Sequence, residues 1–146
     1  MMQMKSSLVL NAIKVVGLFL VSAAPIQTIA QETNQSELAI ERGKQRFEMN
    51  CSLCHGKRAR GFGPFVSQLN KKPPDLTRLN QRNNGSFPFR RIYEAIDGRS
   101  FPDAHGSRGM PIWGEAFKGT VAGHSETLVQ GRILELLLYL ESIQVE

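Results

Sequence analysis

Cysteine is nearly absent from this chain: two residues in 146, Cys51 and Cys54. Two cysteines cannot build a framework of several disulfides, and a closed zinc site, which normally needs four ligands, would have to recruit histidine. There are only three histidines to recruit, His55, His105 and His124. Long apolar runs are also missing. A membrane helix needs about 20 apolar residues, and Asn11 and Lys14 interrupt any such run near the start. Further on, the longest run, Ile133 to Leu140, is broken by Glu135. Strand-like alternation is absent, as are an internal repeat and a low-complexity tract. Nor is there much excess charge, with a formal net charge of +5.

The first thirty residues differ from the rest. Lys5 and Lys14 are their only charges, and Val15 to Ala24 is a run of apolar and small residues. A basic start, a short apolar run and a small-residue cut describe a secretory signal peptide. The expected cut follows Ala30, with Thr28 three positions before the break; a cut after Ala23 is the alternative. Residues 1–30 are thus read as a cleaved signal peptide and residues 31–146 as a single domain. Removing Lys5 and Lys14 leaves 16 basic against 13 acidic side chains, a formal charge of +3. That is too little to argue for nucleic acid. It suits steering towards an acidic partner surface, an effect that salt weakens.

The two cysteines lie in Cys51-Ser52-Leu53-Cys54-His55. C-x-x-C-H reads as a covalent c-type haem attachment site. Each thiol can add to one vinyl group on the same edge of a haem, and the next residue then lies under the ring, where an imidazole can bind iron. Two other readings fare worse. A thioredoxin-like dithiol is expected near a βαβ pattern, which is not visible. A disulfide across so short a loop would be strained and reactive rather than structural.

Haem iron has a second axial position. The candidates are Met110, His105, His124 and Met49. Met49 is two residues before Cys51, too close to cross the ring. Met110 stands in Gly109-Met110-Pro111-Ile112-Trp113-Gly114. Glycine and proline on either side predict a rigid loop that holds the thioether with little ordering cost. Met/His ligation is a usual cytochrome c arrangement and raises the potential. Met110 is therefore the preferred distal ligand and His105 its serious rival. Trp113 is a haem-packing residue or, through its indole N–H, a donor to a propionate. Lys57, Arg58, Arg60, Lys71 and Lys72 are candidates to ring the haem edge, or form an ordinary solvated face.

Ser36 to Asn50 reads as a helix with Ser36 as N-cap and Ile40, Gly43 and Phe47 on one face. Leu128 to Ile143 is the strongest helical signal. Thr127 to Gln130 fits a capping box, and Val129, Ile133, Leu136, Leu137, Leu140 and Ile143 form an apolar stripe. Glycine within a helix costs about 1 kcal/mol, so Gly43 predicts close approach by another helix near Leu136 or Tyr139. Between the terminal helices, Pro73 and Pro74 predict an extended turn. A short helix is expected over 77–81, and another from a Ser86 cap to Asp97, stopped by Gly98.

From about Ser36 to Ile143 the chain resembles the monohaem class I c-type cytochromes of bacteria. The matching pieces are Gly43 and Phe47, Cys51-Ser52-Leu53-Cys54-His55, Pro73-Pro74-Asp75-Leu76-Thr77, Met110-Pro111-Ile112-Trp113-Gly114, and Leu136 with Tyr139. The resemblance implies an all-α cytochrome c-like bundle of a few short helices around one covalent haem, with the N- and C-terminal helices crossing. It implies haem c and its iron as cofactors, attached outside the cytoplasm. Cys51 and Cys54 would carry the thioethers, and His55 and Met110 the axial bonds. It also suggests a carbonyl in the Gly63-Pro64 region as acceptor for His55, and Arg90, Arg91 and Arg108 are candidates for the propionates. The expected function is periplasmic electron transfer in a respiratory chain, not enzyme catalysis, with redox proteins as partners and no membrane span after processing. Two alternatives stand beside it: a haem subunit of a periplasmic dehydrogenase or other respiratory complex, and a gas-binding or sensing cytochrome. No role follows for His105.

Overall fold

The computed structural model describes residues 26–100, 109–118 and 126–145, with side chains from residue 34 onward. All regular structure in these residues is helical. Helix α1 spans Ile26–Asn50, α2 Ser52–His55, α3 Phe89–Asp97, α4 Trp113–Ala116 and α5 Glu126–Ser142. Short 3-10 turns occupy Val66–Gln68, Leu76–Arg78 and Gln81–Asn83. No described helix is long and apolar enough to cross a membrane. Residues 1–25, His105, Arg108 and His124 lie outside the described residues.

Helices α1 and α5 cross at Gly43, as the lone glycine predicts. A Cβ there would overlap the Glu135 backbone carbonyl and come within 2.9 Å of Tyr139 Cβ. One turn on, Phe47 is buried with its ring centroid 5.4 Å from that of Tyr139. The expected stripe of α5 points inward: Val129, Ile133, Leu136, Leu137 and Leu140 are all buried. Burying each such side chain contributes roughly 1.5–3 kcal/mol. Ionic contacts brace the same crossing. Glu135 accepts hydrogen bonds from Arg42 Nε at 2.8 Å and from Arg46 Nη2 at 2.7 Å. The Arg46 contact is the sheltered one, with 23% and 19% of its two side chains exposed. Solvent screens it less than an ordinary surface pair.

Gln144, just after α5, fastens the middle of the chain. Its amide nitrogen donates to the Leu76 carbonyl at 2.8 Å, and its oxygen accepts from the Leu79 amide at 2.7 Å. Val145 adds a backbone bond to the Thr77 carbonyl at 2.9 Å. The 76–80 segment is therefore tied to the end of α5.

Helix starts depart from the sequence expectation. Helix α1 begins at Ile26, so Ser36 is an interior residue rather than a cap. Helix α5 already includes Glu126, which puts Thr127 inside the first turn and removes the expected capping box. Helix α3 starts after Pro88 with no side-chain cap, so Ser86 does not serve as one. Ser36 and Thr127 thus lie within helical backbone, and at α3 a proline stands where the cap would be. Instead of one helix over 77–81 there are two 3-10 turns, the first capped by Asp75, whose carboxylate accepts from the Thr77 amide at 2.9 Å. The stop of α3 is as expected, with Gly98 in the left-handed region at φ 73°.

Gly43→Ala must push α1 and α5 apart, because the added methyl meets backbone rather than a movable side chain. We expect about 1–3 kcal/mol of lost stability or more, measured by denaturant unfolding. A change within experimental error would show that the helices do not meet so closely. A second prediction concerns acid. Hydrogen bonds from Arg99 hold the Glu126 carboxyl below its ordinary 4.5, against a small effect of burial, with the charges of Arg99 and Lys118 helping. A carboxyl depressed on folding stabilises the protein above its unfolded pKa, and the gain is lost as pH falls through the folded value. Wild type should therefore melt above Glu126→Gln at neutral pH, and the two should converge below about pH 4.5. Parallel curves through that range would contradict the linkage.

Candidate functional site

Helix α1 delivers Cys51 to the edge of the core. The Cys51 amide still donates to the Phe47 carbonyl at 2.8 Å, and the chain then turns into α2. Its single turn sets Cys51, Cys54 and His55 at i, i+3 and i+4, neighbouring positions on one helical face. The Cys54 and His55 amides both donate to the Cys51 carbonyl, at 3.2 and 2.9 Å. Cys51 packs against the buried cluster of Phe47, Leu136 and Tyr139.

Neither cysteine is in a disulfide. Burial pushes the Cys51 thiol up to about 12, and the neighbouring Cys54 adds to the effect. Such a thiol is protonated at neutral pH, unlike the low-pKa thiolates of redox-active dithiols. Dithiol redox chemistry therefore loses ground. Among the described residues no group of three or more His, Cys, Asp or Glu side chains converges as a metal site.

After His55 the chain folds back on itself. The Gly61 amide donates to the His55 carbonyl at 2.8 Å, the Gly63 amide to the Cys54 carbonyl at 3.1 Å, and the Phe65 amide to the Leu53 carbonyl at 3.0 Å. Gly56 and Gly61 take φ of 78° and 77°, a region that favours glycine. At Gly63 a Cβ would lie 2.6 Å from the Cys54 carbonyl group. A hollow of about 330 Å³ opens beside this loop, lined by His55, Gly56, Lys57, Arg58, Arg60 and Phe62.

The sequence expectation for the carbonyl facing His55 needs correction. The Gly63 carbonyl accepts from the Val66 amide at 3.1 Å, and it is the Pro74 carbonyl that approaches the imidazole. The Leu76 amide donates to the Ala59 carbonyl at 2.7 Å, which lays the diproline turn over the 59–61 loop. Burial pulls the imidazole below its ordinary pKa, and the Pro74 carbonyl opposes that shift. His55 Nδ1 is buried without a hydrogen-bond partner. A half-buried imidazole with an unsatisfied ring nitrogen, lining a hollow of about 330 Å³, fits a ligand to iron.

Met110 arrives from the other end of the chain. It is half-buried and packs against the same core cluster as Cys51, together with Leu76, Phe87, Ile92, Tyr93 and Trp113. The expected loop is confined to the residues before α4, since Trp113 opens that helix. Trp113 stacks at a tilt on Phe117, centroids 5.4 Å apart. Met49 is 74% exposed at the end of α1. Arg90 and Arg91 are on the exposed side of α3, and Arg90 reaches Glu94 at 3.4 Å.

Phe62 went unread in the sequence. It is 72% exposed, and Lys72 Nζ sits 3.4 Å from its ring centroid. This cation–π contact joins Lys72 to the basic loop of Lys57, Arg58 and Arg60 beside His55. An aromatic between Gly61 and Gly63 was the available signal, but its exposure depends on how the loop folds.

A helical frame with a C-x-x-C-H turn at its core edge, a hollow beside the histidine and a methionine packed on the same core cluster as the first cysteine defines a small haem-binding protein. A family model of cytochrome c matches residues 40–112, half of the 146-residue chain. The chain belongs to the cytochrome c family. It is thus an electron carrier with covalent haem c and its iron as cofactor, and Cys51 and Cys54 have the spacing of the family's attachment motif. Its partners are redox proteins. Comparison with curated proteins and comparison with solved structures each return no match.

Gly63→Ala should disturb attachment without touching a candidate ligand. The added methyl must displace the backbone of Leu53 and Cys54. We expect a severalfold drop in covalent haem per polypeptide, read from the pyridine haemochrome against total protein. A normal ratio would show that the loop can give way.

Proposed function

We propose that this protein is an exported, periplasmic electron carrier of the respiratory chain with His/Met-ligated haem. Cys51 and Cys54 hold the haem by thioether bonds, His55 is the proximal ligand and Met110 the distal one. Haem iron, when bound, supplies a one-electron Fe(II)/Fe(III) couple. The chain's own residues do the rest. His55 is fixed by the turn that also carries both cysteines, so ligand and attachment points are set together. The Pro74 carbonyl lies beside the imidazole, where it could take the ring N–H that iron does not use, as outer partners of metal-bound histidine usually do. Met110 presents a soft thioether, which favours the reduced state and raises the potential. Trp113 packs against the core cluster beside Met110 and helps exclude water.

The observation that carries this reading is the pairing of a half-buried His55, its Nδ1 unsatisfied, with a half-buried Met110 on the same core cluster that takes Cys51. His55 and Met110 together would fill both axial positions of the haem iron and leave no open coordination site for gas or peroxide chemistry. Export is supported by the signal-like composition of residues 1–30, and covalent haem attachment outside the cytoplasm agrees with it.

The basic loop bears on the partner. Lys57, Arg58 and Arg60 line the hollow beside His55, and Lys72 lies over the exposed Phe62. A positive rim around an apolar ring suits transient docking on an acidic redox partner, fast at low salt and slower as salt rises.

Met110→Ala should keep haem attached but remove the weak red ferric band that marks methionine ligation. The ferric iron should turn high-spin or take up water, and the potential should fall. An unchanged ferric spectrum and potential would sink the Met110 assignment.

A further inference from the structure

Met110 is followed after three residues by Gly114, and Gly114 has no room for a side chain. A Cβ there would overlap Asp97 Oδ1, lie 2.5 Å from Arg99 Nε and 2.8 Å from the Asp97 carbonyl. The first turn of α4 therefore sits directly on the C-terminal end of α3. Asp97 is 7% exposed, and its carboxylate accepts from Arg99 Nε at 2.8 Å. The other side of the same guanidinium donates from Nη1 to Glu126 Oε2 at 2.8 Å, at the first turn of α5. One guanidinium thus meets three helices: it leaves the end of α3, covers Gly114 of α4 and grips the start of α5.

The far end of α4 is held as well. Arg132 of α5 donates to the Phe117 carbonyl, and Phe117 is buried. The residues from Gly109 to Ile112 lead directly into α4: the Ile112 carbonyl accepts from the Glu115 and Ala116 amides, each at 3.2 Å, and Met110 packs on the core cluster two residues earlier. An exposed ion pair contributes little on its own. This one differs because Asp97 is buried, and a buried carboxylate left without its partner is costly. The arrangement of Arg99 is therefore tightly determined. Its planar fork also makes it hard to replace, since lysine cannot serve two carboxylates side by side in the same way.

We propose that Arg99, held between Asp97 and Glu126, is a positioning residue that seats the Met110 segment at the iron. The proposal rests on Met110 being the distal ligand. A thioether binds ferric iron less readily than ferrous iron, so the oxidised state depends most on how firmly the segment is held. Loosening the guanidinium should raise the fraction of ferric protein with Met110 off the iron. An added ligand that competes for that position then binds more tightly in proportion.

The test uses the haem-loaded full chain and imidazole as the competing probe. Ferric Arg99→Met and Glu126→Gln should each bind imidazole about tenfold more tightly than wild type, in proportion to the population shift. Arg99→Lys, which keeps the charge but not the fork, should fall between Arg99→Met and wild type. Covalent haem content and the ferrous spectrum should be unchanged. Should Arg99→Met fail to fold, Glu126→Gln carries the test alone, since its side chain is half exposed. A change in imidazole affinity of less than about threefold, even with a lower melting temperature, would reduce the guanidinium to a structural brace and overturn the proposal. The underlying ligand assignment fails by a different sign: Met110→Ala would then bind imidazole no more tightly than wild type and keep the red ferric band. That result would overturn the positioning role along with it.

Discussion

The missing side chain of Gly43 lets α1 lie directly on the backbone of α5, and the candidate haem site is built outward from that crossing. Helix α1 ends at Asn50, so its seating fixes where Cys51 leaves the core edge. Helix α5 forms the opposite wall, with its apolar stripe buried and its first turn gripping Arg99. A shift between the two helices would move the attachment turn relative to the methionine segment. Glu135 answers this on the polar side, holding Arg42 and Arg46 of α1.

The two halves of the site are held by different physics. The cysteine and histidine half is local: one helical turn, a glycine-rich return and a set of backbone hydrogen bonds within about a dozen residues. Its rigidity comes from closing those bonds tightly, with Pro73 and Pro74 laid across the return. The methionine half is non-local. It depends on α4 being wedged between α3 and α5 by two arginines, Arg99 and Arg132. The two halves meet on one core cluster, against which both Cys51 and Met110 pack. The basic loop stands on the first half alone.

Much of this was legible because it is short-range. The C-x-x-C-H spacing, the stripe of α5, the glycine stop of α3 and the need for close approach at Gly43 each follow from periodicity or steric size. The helix starts were not legible. Ser36, Ser86 and Thr127 are all good caps, but a cap acts only if the preceding residues leave the helix. In α1 they do not, and Pro88 sets the start of α3. The carbonyl facing His55 was misplaced for a related reason. Gly63 is near in sequence, yet its carbonyl is taken by the Val66 amide, and Pro74 reaches the ring only because the diproline turn folds back.

The sequence by itself determined the chemistry: covalent haem attachment, an all-α frame and the two terminal helices that must meet at a glycine. These follow from residue type and spacing, which do not depend on the rest of the fold. Tertiary structure alone decided which carbonyl faces His55, that Phe62 stands exposed under Lys72, and that Arg99 joins Asp97 to Glu126 over Gly114. Those contacts link residues far apart in the chain or depend on how a loop closes. Nothing in local propensity distinguishes such partners until packing brings them together.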